Sequence, residues 1–403
     1  MRHDDPGANR GRLLATLRVQ YPDSLAGAGF RLLHPVTGDP YTDDRRHLVA
    51  TCRATANFAT GADAGGPAWC RETAAHGLEF LREGHAAEDG YHLVVDESGD
   101  PLDRTRSAYG HAFVLLAFAR ATAAGVDGAA AGVDRTADLL AERFHDPNGL
   151  LRSDCDPDWT ELEAYRGQNA NMHACEAYLA AHEATGERRY LERAATIARL
   201  LAVELASETD GLVWEHYTAD WTHDFGYNAD RPRHQFRPPG YQPGHHAEWA
   251  KLLALLDRHA DGAVWAPPGG WYERAADLFR SAVGLGWLGD GFAYTVGRDG
   301  SVRVADRYGW ALAEALGAAA ALVGRARAND DPAGAARFRA WHACFLDAAE
   351  RFRGPAGLWY EKYRRPADGG GSGAPVPPDP PGVEPDYHPL GAWFEGWRSF
   401  GPR

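Results

Sequence analysis

The sequence predicts an all-α protein, an (α/α)6 barrel of about twelve helices in six hairpins with short β-hairpin inserts. Helical patterns dominate the chain and come in pairs, and short β-type segments lie between the pairs. An α-solenoid also stacks helical hairpins, but no repeat of fixed period is visible, so the barrel is the better interpretation. In a barrel the inner helices are hydrophobic nearly all round, except at one mouth.

The predicted helices share an apolar spacing typical of α-structure and lie near Arg12–Gln20, Arg45–Thr60, Ala68–Arg82, Ser107–Ala124, Ala130–Phe144, Gln168–Thr185, Arg189–Ser207, Gly244–His259, Trp271–Gly284, Asp306–Arg325, Pro332–Phe352 and beyond His388. Glycines such as Gly125 and Gly186 follow helix ends, where a left-handed C-cap is needed. The predicted β-segments are Tyr91–Val95, Gly211–Tyr217 and Gly291–Thr295, the last followed by a turn over residues 297–300.

We expect the 403 residues to form a single catalytic domain, because barrels of this size fold as one unit. One segment stands apart. Residues 365–385 are rich in proline and glycine, and this composition predicts a loop. The GGGSG run within it lacks the Lys-Ser/Thr that a phosphate-binding loop requires.

Charge and cysteine content exclude several classes of protein. The net charge of −14 comes from interspersed acidic and basic residues, which argues against a nucleic-acid or anionic-membrane surface. Five cysteines without a CxxC pair are typical of free thiols in a reducing compartment. The first residues lack the apolar core of a signal peptide, and no apolar run is long enough to span a membrane. We therefore expect a soluble cytoplasmic protein, and a homodimer remains open.

Four polar constellations are candidates for chemistry. The first is the helix after Tyr165, where Asn171, His173 and Glu176 lie among apolar residues, and His173 and Glu176 are neighbours on one face. The second follows Pro243-Gly244 and includes His245 and His246, with Glu248 three residues beyond His245. A carboxylate at this spacing can bond one imidazole nitrogen and fix its tautomer.

The third constellation is His388, which follows a loop and precedes a helix, and the fourth is Arg53, which lies among apolar neighbours on an early helix. Together, His173, His245 and His388 at loop-to-helix junctions indicate acid/base chemistry near neutral pH. A metal site is the competing interpretation, because His and Glu on helices also bind iron, manganese or zinc. The absence of HExxH and Glu-x-x-His patterns makes it the weaker one.

The segments YRGQNANMHACEAYLAAHEATG, FRPPGYQPGHHAEWAKLL, DRYGWALAEALGAAAAL and EPDYH resemble the N-acylglucosamine 2-epimerase superfamily, in the same order from about Arg45 to His388. The NANMHxxEA form is similar to the aldose–ketose isomerase branch, which contains mannose isomerases and sulfoquinovose isomerase-like proteins. The resemblance implies an (α/α)6 barrel, a monosaccharide substrate, no required metal or cofactor, and paired histidines that move a sugar proton.

Site residues follow from the same resemblance. His245 and His388 match the two acid/base histidines of the family, His173 matches a third active-site histidine, and Arg53 matches the arginine that contacts substrate oxygens. Four further residues match positions that line the sugar pocket: Tyr109, Asn171, Arg237 and Glu248. His246 stands at a variable position of the family.

The chain departs from the aldose–ketose isomerase branch at two positions and in one loop. Relatives usually have an aromatic-His-Trp run where this chain has Tyr308-Gly309-Trp310, and commonly a tryptophan where Val49 stands. The loop before Glu384 is long and proline-rich. These differences bear on substrate identity more than on reaction type.

The predicted function is a metal-independent aldose–ketose isomerase that converts D-mannose, or a close relative, into D-fructose through a cis-enediolate, with histidines as acid and base. The alternative within the family is a sugar 2-epimerase of the N-acylglucosamine or cellobiose type. Two other classes remain open. A glycoside hydrolase would use two of the carboxylates of Glu176, Glu215 and Glu248. A carbohydrate-binding or interaction scaffold would have no need for His245, His388 and Arg53 together.

Overall fold

The computed structural model describes residues 4–42, 44–262, 264–365, 373–378 and 382–401. Over these residues the chain forms twelve α-helices, as the sequence predicts. They are α1 Pro6–Gln20, α2 Leu48–Asp63, α3 Ala68–Phe80, α4 Ala108–Ala123, α5 Ala129–Arg143, α6 Gln168–Thr185, α7 Arg188–Arg199, α8 Pro243–His259, α9 Gly270–Gly286, α10 Gly309–Ala328, α11 Pro332–Ala349 and α12 Tyr387–Phe400.

Two kinds of helix alternate along the chain, and their burial distinguishes them. Residues 48–61 of α2 and 243–256 of α8 are all buried, as expected for helices enclosed on every side. In α5 the buried residues recur every three or four positions, at 129, 132, 133, 136, 137 and 140, so only one face is covered. The enclosed helices carry the polar residues that the sequence predicts as site residues, among them Arg53 on α2 and His245 on α8.

By their contacts the residues divide into two compact units. The amino-terminal unit comprises Leu14–Ile197 and Pro378–Tyr387, and the carboxy-terminal unit comprises Met1–Leu13, Ala198–Pro377 and His388–Arg403. In the amino-terminal unit α4 packs between α2 and α6, with α3 against α2 and α5 against α4. The three enclosed helices α2, α4 and α6 therefore lie side by side.

In the carboxy-terminal unit α8 packs against α9 and α10, and α11 packs against α10. The last helix approaches α10 closely at Gly317, where an added Cβ would lie 3.4 Å from the Cα of Ala392. The enclosed helices α8, α10 and α12 are thus neighbours.

The strands are short. They are β1 Arg46–His47, β2 Ala86–Ala87, β3 Gly90–Tyr91, β4 Val94–Val95, β5 Pro101–Asp103, β6 Tyr165–Gly167, β7 His216–Thr218, β8 Ala293–Val296, β9 Val302–Tyr308, β10 Lys362–Arg364 and β11 Ala374–Val376. In the carboxy-terminal unit β8, β9, β10 and β11 form an antiparallel sheet in that order. Several strands lead straight into an enclosed helix, for example β1 into α2 and β9 into α10.

Several boundaries differ from the predictions. The first helix begins at Pro6 and not near Arg12, and of the predicted β-segment Gly211–Tyr217 only His216 and Tyr217 lie in a strand. The predicted helix from Asp306 begins at Gly309, because the preceding residues pair with β8 and β10 as strand β9. The predicted helix over 189–207 changes at Leu200 into a π-helical turn. Residues 365–385 are not all loop, since Ala374–Val376 pairs with β10. Within that segment, residues 366–372 and 379–381 lie outside the described part of the chain.

Other expectations are confirmed. Gly186 ends α6 with φ of 74°, and Gly125 follows α4 with φ of 69°, both left-handed. All five cysteines are free thiols, and Cys344 is the one that is not fully buried. Among the described residues, none of the helices combines the length and hydropathy that a membrane span would need.

Candidate active site

His245 lies in the first turn of α8, where Pro243 occupies the first helical position. Its Nδ1 lies 2.9 Å from Oε2 of Glu215, and both side chains are buried. An ionised carboxylate can only accept a hydrogen bond, so Nδ1 donates and Nε2 keeps its lone pair. The sequence predicts Glu248 as a carboxylate partner for His245 by spacing, but the carboxylate on Nδ1 is Glu215. In this tautomer the acceptor nitrogen of the His245 ring is Nε2.

His388 has the same arrangement on a different helix. It is the second residue of α12, and its Nδ1 lies 2.7 Å from Oε1 of Glu314 on α10. Glu314 is 1% exposed, so its charge is held away from water and the bond to His388 is correspondingly strong. The same tautomer follows, with the hydrogen on Nδ1 and the lone pair on Nε2.

The indole of Trp310 lies beside both histidines. Its ring centroid is 4.9 Å from that of His245 and 5.9 Å from that of His388. The structure therefore brings together the two histidines that the sequence predicts as acid and base, one on each of two helices that pack against α10. Their shared neighbour is the aromatic ring of Trp310.

Lys251 and Glu248 surround the His388–Glu314 pair. The ammonium of Lys251, which is one turn beyond Glu248 on α8, lies 2.5 Å from Oε2 of Glu314. One ligand atom from each of Glu248, Glu314 and His388 lies within 4.8 Å of the others, a spacing that could hold a metal ion. A cation at this position would compete with the ammonium, which already supplies positive charge to Glu314. The donor set therefore favours an internal ion pair over a metal centre.

His246, next in the chain to His245, is a structural residue. Its Nδ1 donates to the carbonyl of Gln242 at 3.0 Å, and its Nε2 accepts from the amide of Val213 at 3.1 Å. Burial lowers its pKa to about 4, and the ring stays neutral because protonation would destroy the bond at Nε2. Both nitrogens are used, which agrees with its position at a variable site of the resembled family.

Arg237 lies in the segment before α8 and is half-buried. Its Nη1 donates to the hydroxyl of Tyr227 at 3.1 Å, and the Tyr227 ring lies 4.7 Å from that of His216. His216 follows Glu215 in the chain, and burial together with Arg237 lowers its pKa. The predicted pocket arginine therefore lies near the start of β7, which directly follows Glu215, the carboxylate partner of His245.

In the amino-terminal unit the polar centre is Arg53, which lies in the second turn of α2 and is 4% exposed. Its Nη1 donates to Oε2 of Glu384 and to the carbonyl of Val383, both at 3.0 Å, and its Nη2 donates to the hydroxyl of Tyr109 at 2.9 Å. The guanidinium also lies over the ring of Phe113, at 4.6 Å. These contacts fix the plane of the guanidinium.

His173 lies beside this arginine cluster, on α6. Its ring meets that of Tyr109 edge-on, with centroids 5.2 Å apart, and lies 4.7 Å from that of Phe113. Its Nδ1 is 3.1 Å from Oε2 of Glu176, as the His-x-x-Glu spacing predicts. Three of the predicted site residues, Arg53, Tyr109 and His173, therefore form one cluster in this unit.

Asn171 is fully buried and bonds only to backbone groups in the contacts that the structure gives. Its Oδ1 accepts from the amide of Leu151 at 2.7 Å, and its Nδ2 donates to the carbonyls of Leu151 and Gly167 at 3.0 and 3.1 Å. Both amide hydrogens are used, so this geometry gives Asn171 an anchoring role. Its assignment as a direct ligand of the sugar stays a prediction.

Glu314 and Lys251 are absent from the sequence-derived set of site residues. A signal for both was present, because each is a single charged residue within an apolar helical run: WALAEALG in α10 and AKLLALL in α8. A charge at such a position is buried and needs a partner. The pattern does not reveal which partner each charge has, because Lys251, Glu314 and His388 stand on three different helices.

The backbone explains one departure from the resembled family. A Cβ on Gly309 would lie 3.0 Å from the carbonyl oxygen of Tyr360 and 3.3 Å from the ring of Trp359. The amide of Gly309 also donates to the carbonyl of Glu361 at 2.9 Å. A side chain at this position would press on the segment before β10, which would have to yield by a few tenths of an ångström.

Comparisons with known proteins agree with this description. A family model described as N-acylglucosamine 2-epimerase (GlcNAc 2-epimerase) matches residues 29–392. A D-mannose isomerase of Marinomonas mediterranea is 37% identical over 310 residues, which cover 75% of this chain and 77% of that protein. A D-mannose isomerase of Thermobifida fusca is 38% identical over 322 residues, covering 78% and 76%.

Among solved structures, a crystal structure of a D-mannose isomerase matches with a TM-score of 0.87 at 32% identity, covering 98% of both chains. The comparisons confirm the all-α (α/α)6 barrel fold class and the resemblance stated from the motifs. They also confirm the expectation of an enzyme of the sugar isomerase or epimerase type, which argues against the non-catalytic scaffold that the sequence leaves open.

Proposed function

This chain belongs to the N-acylglucosamine 2-epimerase family, and from that premise we propose that it is an aldose–ketose isomerase that interconverts D-mannose and D-fructose. The observation that supports this most directly is the pair His245 and His388, each held at Nδ1 by a buried glutamate and each beside Trp310. Similarity to D-mannose isomerases over three quarters of the chain supports the choice of substrate.

In the proposed reaction the sugar ring opens, and Nε2 of one histidine removes the proton from C2 of the aldose. The electron pair of that C–H bond forms the C1–C2 double bond of a cis-enediolate, and negative charge collects on O1. The proton returns to C1, and O2 becomes the ketose carbonyl as its hydrogen moves to O1. Both histidines carry their lone pair on Nε2 in the tautomer described above, so one can act on carbon while the other serves the oxygens.

Charge on the enediolate needs stabilisation, and we assign this role to Arg53. A guanidinium that is 4% exposed interacts strongly with an oxyanion because little water competes with it. Tyr109 and His173, which surround Arg53, are proposed to bind sugar hydroxyls, as are Arg237 and Glu248. Asn171 is proposed to act indirectly, by anchoring the segment at Leu151.

We also propose that residues 1–403 act as one catalytic domain and that the reaction needs no metal. Every step uses side chains of this chain, and the proton carrier at each step is an imidazole. Positive charge at the Glu314 pair comes from Lys251. No step therefore calls for a Lewis acid.

The test is incubation with D-mannose in the presence and absence of EDTA, with the ketose measured over time. We expect the same rate in both, and a loss of at least about 10²-fold in His245→Ala and in His388→Ala. His145→Ala, an exposed histidine, is the matched control and keeps full activity. Failure of the purified protein to turn over any aldose or ketose that differs at C2 would disprove the proposal, and loss of activity in EDTA would disprove metal independence.

A sugar 2-epimerase is the second candidate. The observation that favours it is the same pair of histidines, because a two-base epimerisation needs one imidazole on each face of C2. Deuterated water separates the two reactions: an epimerase gives a labelled aldose and no ketose, whereas an isomerase gives a ketose. A glycoside hydrolase is disfavoured because Glu176 and Glu215 both accept hydrogen bonds from histidines, where a hydrolase would direct its carboxyl groups at the glycosidic bond.

A further inference from the structure

A buried lysine lies behind one of the two proposed catalytic histidines. Lys251 is 5% exposed on α8, Glu314 is 1% exposed on α10 and His388 is 5% exposed on α12. The ammonium of Lys251 lies 2.5 Å from Oε2 of Glu314, and the other oxygen of that carboxylate lies 2.7 Å from Nδ1 of His388. One carboxylate therefore joins a cation to an imidazole across three neighbouring helices.

The composition of the chain makes this lysine unusual. Of its 42 lysines and arginines, only Lys251 and Lys362 are lysines. Arginine offers a broad planar fork, whereas lysine ends in a compact point charge on a flexible stem. The stem of Lys251 packs against α10, where a Cβ on Gly317 would lie 3.4 Å from its Cδ, in ordinary van der Waals contact.

We propose that Lys251 is a positioning residue: its ammonium keeps Glu314 ionised, and ionised Glu314 holds His388 in the tautomer that has hydrogen on Nδ1. The catalytic consequence rests on the proposed isomerase function, whereas the tautomer itself does not. Lys251 acts through Glu314 and does not touch the sugar.

The physical reason is the cost of an isolated buried carboxylate. Without a nearby cation such a group takes up a proton, and Glu248, which lies within 4.8 Å in the same cluster, adds a second negative group that increases this tendency. A protonated Glu314 could donate to Nδ1 of His388. The imidazole hydrogen would then move to Nε2, and Nε2 would lose the lone pair that accepts the sugar proton.

The presence of only two lysines provides a direct test. Protein labelled with isotopes in lysine alone should give two side-chain signals by NMR, and the variant Lys362→Met identifies which belongs to Lys251. We expect Glu314→Gln to shift the Lys251 signal and leave the Lys362 signal in place. An unchanged Lys251 signal in folded Glu314→Gln would overturn the proposal.

The tautomer of His388 is the second readout. In histidine-labelled protein the signals that disappear in His388→Gln belong to this ring, and the nitrogen shifts of each tautomer differ. We expect hydrogen on Nδ1 in the native protein and on Nε2 in Lys251→Met. Retention of the native tautomer in folded Lys251→Met would refute the inference, whatever the enzyme's substrate.

Kinetics complete the test. Lys251→Met should lower kcat by about 10- to 100-fold with KM within about threefold, because a group that positions a base affects the chemical step. Lys251→Arg keeps the charge and should recover part of kcat and the native tautomer. If Lys251→Met does not fold, Lys251→Gln, which also removes the charge, replaces it in both assays with the same expected results. Lys362→Met is the matched control with unchanged kcat. Absence of turnover in the native enzyme would disprove the isomerase function and leave the NMR result standing.

Discussion

Nδ1 of His388 lies 2.7 Å from Oε1 of Glu314, and both side chains are buried. The pair joins the start of α12 to α10, so the orientation of a histidine at a helix terminus is set by a residue far away in sequence. Removal of the carboxylate charge should therefore affect the reaction without removing the histidine.

Glu314→Gln tests this relationship. The amide has nearly the shape of the carboxylate, but its NH2 can donate to Nδ1 and reverse the tautomer of His388. We expect kcat for the sugar reaction to fall by about 10²-fold or more, with KM within about threefold. Glu361→Gln, in the same unit, is the control that leaves kcat unchanged. A Glu314→Gln enzyme with native kcat would mean that the carboxylate does not orient the base.

Arg53→Lys tests whether the fork of the guanidinium matters. The substitution keeps a positive charge, but one ammonium cannot reach Glu384, Val383 and Tyr109 with the same geometry. We expect kcat/KM to fall by about 10²-fold, because stabilisation of the developing oxyanion is lost. Arg188→Lys, which removes one exposed guanidinium paired with Glu192, is the comparison and should have no effect. Equal kcat/KM values for both variants would contradict the role given to Arg53.

Asn171→Ala tests whether Asn171 anchors the backbone at Leu151 or binds the sugar directly. The change removes three hydrogen bonds and leaves the amide and carbonyl of Leu151 buried without them. We expect the free energy of unfolding to fall by about 2–4 kcal/mol, measured by urea denaturation. KM for the sugar should change by less than about twofold while the enzyme remains folded. A large increase in KM at native stability would support the predicted assignment of Asn171 as a ligand of the sugar.

Acid should destabilise the fold through its buried neutral histidines. Burial lowers the pKa of His246 and of His111 to about 4. A histidine in the unfolded chain has a pKa of about 6.5, so below that pH both imidazoles are protonated in the unfolded chain but remain neutral in the folded one. The free energy of unfolding therefore has its full value above about pH 6.5 and falls as the pH declines toward 4. Each histidine should lower the free energy of unfolding by about 2 kcal/mol between neutral pH and about pH 5.

Urea unfolding at these two pH values measures the effect. His246→Gln should be less stable at neutral pH but should lose less stability on acidification, and exposed His145→Gln should behave like the native protein. Glu395 stabilises the fold over a lower pH range. Arg258 and Arg398 hold its pKa at about 2 despite its burial, so its contribution to the free energy of unfolding is lost only below about pH 4. Equal acid sensitivity of His246→Gln and the native protein would show that His246 does not cause the loss.

The helices were predictable because their apolar residues recur with a helical period that needs only local sequence. The β9 strand was not, because residues 306–308 fit a helical pattern as well and adopt the extended form only through pairing with β8 and β10. Likewise β11 lies in a proline- and glycine-rich stretch and exists because β10 is beside it.

The sequence by itself determined the all-α class, the helix starts that present His173, His245 and His388, and the family to which the motifs belong. Only the tertiary structure decided that Glu215 serves His245, that Glu314 serves His388 and that Lys251 stands behind Glu314. The reason is physical. Spacing along one helix reports which residues share a face, whereas the charge state and tautomer of a buried imidazole depend on groups that other helices bring within hydrogen-bond distance.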